Sequence, residues 1–307
     1  MADKPVLTLE ERRARREARR AKQREANIGR AEKMHQARLQ AGQQAVPSPA
    51  TTTRPAQEQQ QELHIGCSGW FYWHWRGGFY PVELPTSEWF ARYAKSFKTV
   101  ELNAPFYSWP TLATVESWRQ QAGRKKFIYT VKVSELITHV KRFEGTRDLV
   151  ADFSYIGDLL GRYMGCFLFQ LPPSYTYTPA RLKAILGQLE HGRRNVVEFR
   201  HKSWWDAKVF AAFRETGTIF CSCSGPRLPD QLVETADDIY VRFHGTKRWY
   251  RHDYTDEELA VWADRIRTSA AKRVWIYFNN DRDGYAIKNA RQLMRQLERP
   301  RTGVPIA

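Results

Sequence analysis

Eight short apolar runs, separated by helix-patterned segments, constrain this chain more than any other feature. They are Leu63–Cys67, Thr99–Asn103, Lys126–Val133, Gly165–Leu171, Asn195–Arg200, Thr218–Cys223, Ile239–Gly245 and Arg273–Asn280. Helical patterns lie between nearly all of them, over residues 86–96, 111–121, 147–162, 179–190, 206–215, 255–269 and 284–298. The last carries Ile287, Ala290, Met294 and Leu297 at three- and four-residue spacing, the period of a helix with one apolar face. Thr178 precedes Pro179, which suits the first helical position. Thr255 and Glu258 have the spacing of a capping box. Only residues 224–238, between the sixth and seventh runs, read as a loop. Alternating strands and helices predict a parallel sheet covered by helices. Eight repeats over about 240 residues match an α/β closed (β/α)8 TIM-like barrel in number and size. An open doubly wound sheet would carry a Gly-rich phosphate loop after its first strand, and the stretch Gly66 to Trp70 lacks that fingerprint.

Three segments follow: a basic low-complexity tail and linker at 1–62, the barrel at 63–300 and a short C-terminal tail at 301–307. Residues 9–40 favour helix by composition but show no continuous apolar stripe, so they read as a basic extension, disordered or a solvated helix. Residues 43–61, with Pro47, Pro49 and Pro55, read as linker. The net charge is +16, of which +6 falls in residues 1–60, so both parts favour anionic partners. No run approaches the ~20 apolar residues of a membrane span. The polar stretch Met1 to Lys22 is no secretion signal, and its acids argue against a mitochondrial presequence. Cys67, Cys166, Cys221 and Cys223 lack zinc-type spacing and read as reduced, buried thiols of a cytoplasmic protein.

Side chains alternate faces along a strand, and barrels keep their sites at the carboxyl ends of the strands. That places Glu101 with Asn103, Thr130 with Lys132, Glu198 with Arg200, and Arg242 with His244 on inward faces. Gln170 and the pair Asn279–Asn280 end strands four and eight. Charged groups inside a protein are costly unless paired, so this convergence marks either a salt-bridge network or a ligand site. We favour the site. Glu101, Glu198, His139 and His244 qualify by type for acid–base work. Glu101, Glu198, His201 and His244 qualify as metal ligands, but Lys132, Arg200 and Arg242 crowd the same mouth and favour an anion over a cation. The sequence names no cofactor and leaves the oligomeric state open. The loop Gly69–Pro81 packs seven aromatic residues into a short span, which either line the mouth for stacking or form a lid on the rim.

The stretches GCSGWFYWHWRGGFYP, VELNAPFY, TVKVSELITH, FQLPP, VEFRHKSW, YVRFHG and YFNN resemble the domain of unknown function 72 family, also called YecE-like proteins. The resemblance runs from about Ile65 to Leu297 and implies a β/α barrel in a bacterial cytosolic setting; it names no reaction. Matching positions include Trp70, Glu101, Asn103, Phe106, Lys132, Thr138, His139, Gln170, Glu198, Arg200, His201, Trp204, Arg242, His244, Gly245, Asn279 and Asn280. At the end of strand six, where the family usually has Asp, this chain reads Cys221-Ser222-Cys223-Ser224.

Two functions remain. One is an enzyme on a phosphorylated, nucleotide or nucleic-acid substrate. Glu198 or Glu101 would be its acid–base group, assisted by His244. Lys132, Arg200 and Arg242 would hold the anion, and Asn103, His139, Gln170, Asn280 and Trp70 would contact the substrate. The other is a non-catalytic nucleic-acid-associated protein using the basic tail and aromatic rim. The altered strand-six position leans toward the second. The acids interspersed among the tail's arginines lean toward a merely solvated extension.

Overall fold

The computed structural model describes residues 8–44, 61–123 and 126–298. The expected C-terminal tail at 301–307 and all but the ends of the expected linker at 43–61 lie outside the described residues. The eight strands are β1 (Glu62–Cys67), β2 (Thr99–Leu102), β3 (Ile128–Lys132), β4 (Met164–Gln170), β5 (Asn195–Glu198), β6 (Ile219–Ser224), β7 (Asp238–Phe243) and β8 (Arg273–Phe278). All pairing is parallel: from β2 to β8 each strand pairs with the next, and β8 pairs with β1. The covering helices are α2 (Trp89–Ser96), α3 (Ala104–Tyr107), α4 (Leu112–Ala122), α5 (Arg147–Leu160), α6 (Pro179–Leu186), α7 (Ala207–Thr216), α8 (Asp256–Thr268) and α9 (Tyr285–Glu298). The chain is therefore a nearly closed (β/α)8 TIM-like barrel. The Thr178 cap and the Thr255–Glu258 capping box form as the sequence predicts. The loop between β6 and β7 also stands. It lies against β6 without a helix, through Thr235 to Phe220 N–H (2.9 Å) and Thr218 C=O (2.7 Å), and through Val233 N–H to Ser222 Oγ (2.9 Å). Among the described residues no helix is long and apolar enough to cross a membrane.

The barrel has two apolar layers. Val100, Leu102, Val131, Phe199, Val241 and Phe243 point outward into the layer shared with the helices. Cys166, Leu168, Val196, Ile219, Cys221, Cys223, Tyr240, Trp275 and Tyr277 pack inside. The Tyr277 hydroxyl spans the interior to Thr99 (2.7 Å) and Thr130 (2.8 Å). At the amino-terminal end Trp275 stacks on His64 at 3.9 Å and donates to Asp238, so the barrel is filled below its mouth.

The seam between β1 and β2 is closed by a side chain. No backbone ladder joins these strands among the described residues. The Tyr93 hydroxyl of α2 accepts from Cys67 N–H (2.9 Å) and donates to Thr99 C=O (3.0 Å). Gly66 permits the approach, because a Cβ there would meet the Thr99 carbonyl oxygen at 2.3 Å.

The tail is helical, one of the two expected forms, but it is not wholly solvated. Residues Leu9–Gln44 form one helix, α1, whose carboxyl-terminal half is docked on the barrel. Asn27, Ala31 and Met34 are buried. Asn27 donates to Tyr107 C=O and accepts from Trp109 N–H, both at 2.9 Å. His35 and Arg38 meet the buried Asp152 of α5 at 3.0 and 2.8 Å. A face can thus be buried without an apolar stripe, because a satisfied Asn and an ion pair replace two of its positions.

Tyr93→Phe would leave the buried Cys67 N–H and Thr99 C=O without their shared partner. We expect a loss of about 1–3 kcal/mol in urea unfolding with an unchanged m-value; an unmoved midpoint would show that the hydroxyl does not hold the seam.

Candidate functional site

Strand alternation carries the polar side chains into one layer above the apolar interior. Arg242 of β7 is fully buried at its centre. Its Nη1 donates to Glu198 Oε2 of β5 at 2.5 Å, and its Nη2 donates to Glu101 Oε1 of β2. The second oxygen of Glu101 accepts from Tyr240 at 2.6 Å. The second oxygen of Glu198 accepts from Arg200 Nε. Two carboxylates and two guanidinium groups therefore compensate one another, and each carboxylate oxygen is already engaged. Burial alone would raise the Glu198 carboxyl, but Arg200, Arg242 and His244 together hold it well below the usual carboxylate range.

His244 is buried beside this cluster. Its Nε2 faces Arg200 Nη2 at 3.1 Å, and Asn279 approaches its Nδ1 at 3.3 Å. The same Nε2 lies 3.3 Å from Glu198 Oε1, so it sits between a group that only donates and one that only accepts. Burial first, and then Arg200, keep the ring neutral.

Lys132 ends β3 in the same layer with a different environment. Its Nζ sits 4.1 Å from the centre of the Phe106 ring. Among the described residues no carboxylate lies within ion-pair distance of it. Burial, followed by the nearby Arg242, pushes its ammonium down from 10.5 to about 7. His139 packs edge-on to the same ring at 4.9 Å, on a π-helical turn at Leu136–Val140, and burial and Lys132 push it down to about 4.

Outside this layer the mouth opens into a cavity of about 820 Å³ lined by Arg200, His201, Arg227, Trp249 and Tyr250. The Arg200 guanidinium lies 4.4 Å from the centre of the Trp249 ring. Arg227 and Tyr250 hold left-handed backbone angles, φ 65° and 69°. Such residues cost on the order of 1–3 kcal/mol and cluster at ligand sites.

Of the expected site residues, Glu101, Lys132, Glu198, Arg200, Arg242, His139 and His244 are brought together. Asn103 donates to Ser68 C=O at 3.2 Å beside the β1–β2 seam, and Gln170 turns back to the Leu171 carbonyl at 2.7 Å. Two residues stand apart. Asn280 donates to the His252 carbonyl (2.8 Å) and to Asn289 of α9 (2.6 Å), so it belongs to the outer layer. Trp70 packs edge-on to Phe90 of α2 at 5.4 Å. Most of its aromatic loop is a lid: Trp75 and Tyr80 are buried, and Tyr80 stacks on Trp89 at 4.5 Å. Phe71 and Trp73 remain exposed. Sequence reasoning passed over Tyr240 and preferred Asn280 to Asn279. Counting in twos from Arg242 and Tyr277 finds the inward residue in both cases.

Cys223, near the end of β6, brings its sulfur within 4.8 Å of a Glu198 oxygen and a His244 nitrogen. By distance this is a metal-ligand trio. By charge it is a poor one, since Glu198 is held by two guanidinium groups and Arg200 faces His244 Nε2.

The barrel has known relatives. The UPF0759 protein YunF of Bacillus subtilis is 24% identical over 272 residues, covering 77% of this chain and 95% of that protein. A solved DUF72 family protein from Thermotoga maritima superposes with a TM-score of 0.70 at 26% identity, covering 78% of this chain and all of that one. A second, from Enterococcus faecalis, gives 0.65 at 19% identity, over 79% of this chain and all of that one. The family described as "Protein of unknown function DUF72" matches residues 64–306, which leaves α1 outside the match, and the chain belongs to that family.

Proposed function

We propose that the barrel mouth is a cytoplasmic enzyme's active site for an anionic substrate, with Lys132 as the group that moves a proton. One observation carries this reading: Lys132 is a buried amine without an acid partner in a layer where the other charges balance. The uncompensated charge draws an anion, and Arg200 and Arg227 in the adjoining cavity offer it forked donors. A lysine poised near neutrality can accept and return a proton at working pH. Glu198 and Glu101, first considered as acid–base groups, are better read as holders of the two arginines, because their oxygens are engaged. His244 is read as a neutral support of Arg200. The four buried free thiols support the cytoplasmic setting.

Sulfate is a suitable probe because it does not titrate near neutrality. Calorimetry at pH 8 in two buffers of different ionisation heat should show proton uptake on binding, since an anion beside Lys132 favours its charged form. Lys132→Met should abolish the uptake and weaken binding tenfold or more. Equal binding by that variant would end the proposal.

Lysine burial also fixes a pH dependence. The folded-state value lies below the ordinary one, so the cost of the buried ammonium is full below about pH 7 and fades as pH rises toward 10.5. Lys132→Met should therefore melt above the parent protein at pH 6, with the gap closing by pH 10.

Glu198→Gln reports on the holder role. Leaving two buried guanidinium groups one charge short should cost about 3–5 kcal/mol in urea unfolding. A variant of undiminished stability would return Glu198 to the list of groups free to act on substrate.

A further inference from the structure

The amino-terminal half of α1 does not touch the core, yet it is aimed. On a helix of 3.6 residues per turn, Arg16, Arg20 and Gln23 lie on the meridian that Asn27 and Met34 continue into the docked half. Glu11, Glu25 and Glu32 fall on the opposite half and Glu10 and Glu17 on the flank, so that stripe itself carries no acid, although Arg15, Lys22 and Lys33 lie toward the acids' side. Arg15, Arg16, Arg19 and Arg20 line a groove of about 930 Å³ whose far wall is Tyr107, Ser108 and Glu135. Glu135, the acid of that lining, is already paired with Arg24 at 3.3 Å.

The groove adjoins the mouth. Tyr107 and Phe106 are neighbours on α3: Phe106 carries Lys132, and Tyr107 faces the arginines with half its surface exposed. The Tyr107 hydroxyl feels both Tyr250 of the mouth cavity and Arg20 of α1. Asn27 fixes the helix to the Tyr107 carbonyl, so groove and mouth share one wall.

From this arrangement we infer that α1 and the β2 rim form a binding track for single-stranded nucleic acid that leads to the barrel mouth. A row of arginines with a flanking exposed aromatic ring suits a phosphate backbone with unpaired bases stacking beside it. Like charges four apart destabilise a helix by a few tenths of a kcal/mol per pair, and a bound polyanion relieves that repulsion. A membrane surface fits less well. It requires a helix with a broad exposed apolar face, and α1 exposes only Leu9, Ile28 and Leu39 as large apolar residues. A duplex hides the bases that Tyr107 would stack.

The test is fluorescence anisotropy of the full chain with a labelled 15-nucleotide polypyrimidine strand, its duplex, and anionic phosphatidylserine vesicles as competitors. The quadruple variant Arg15→Gln, Arg16→Gln, Arg19→Gln, Arg20→Gln should raise Kd at least tenfold. It should also cut the log–log salt slope by roughly 2–3, at about 0.7 per lost phosphate contact. A control removing equal charge away from the groove (Lys22→Gln, Lys33→Gln, Lys183→Gln, Lys208→Gln) should change little. Absence of strand binding, equal weakening in both variants, or preference for duplex or vesicles would each overturn the inference. The quadruple arginine variant should still bind sulfate at the mouth, with proton uptake, as the parent does, so the groove and the proposed chemistry at Lys132 fail or stand separately.

Discussion

The Arg242 guanidinium is the interaction on which the interior depends. It reaches from β7 to Glu198 on β5 and Glu101 on β2, and so ties three strands around the barrel. A buried charge of this kind is tolerated when it is paired, and here both terminal nitrogens are paired while the buried Nε is left without an acceptor. The rest of the layer follows from that demand: Tyr240 occupies the spare oxygen of Glu101, Arg200 that of Glu198, and His244 stays neutral against Arg200. Once these groups have satisfied one another, Lys132 is the charge left over. Its character is set by its neighbours' mutual satisfaction and by the Phe106 ring beneath it.

Much of this was legible because strand alternation is a local rule. The eight runs, the helix-less crossover at 224–238 and the inward pairing of Glu198 with Arg200 follow from a period of two and from turn chemistry. Partner choice was not legible. That Arg242 meets Glu101, 141 residues away, depends on barrel closure, which no local pattern encodes. The preference for Asn280 over Asn279 ignored the same alternation that had worked elsewhere. For the aromatic loop the sequence left a stacking surface and a rim lid both open, and Trp70 packs on Phe90 of the neighbouring helix.

The docking of the tail helix escaped the sequence for a different reason. Apolar periodicity detects faces buried by the hydrophobic effect, whereas α1 is fastened mainly by polar groups. Asn27 exchanges hydrogen bonds with the backbone around Tyr107 and Trp109, and Asp152 of α5 is a buried carboxylate whose charge His35 and Arg38 answer. An acid buried on the barrel's own helix and neutralised by residues outside the family-matched segment makes α1 part of this protein's fold. A linear count of charges also averages over faces, whereas the stripe through Arg16, Arg20 and Gln23 carries no acid.

The arginine row of α1 and the unpaired Lys132 therefore lie on either side of one short helix. Between exposed charges, salt screens interactions over about 8 Å at physiological ionic strength, so arginines at the far end of a free tail would do little for the mouth. Docking through Asn27 changes this. It sets Arg20 within electrostatic range of Tyr107, whose hydroxyl also feels Tyr250 on the mouth cavity. A negatively charged chain drawn to the helix is thereby held where the unpaired Lys132 lies one residue's breadth behind the groove wall, on the far side of Phe106. The geometry links the two basic regions through a single short helix, Ala104–Tyr107, whose two aromatic side chains serve one region each.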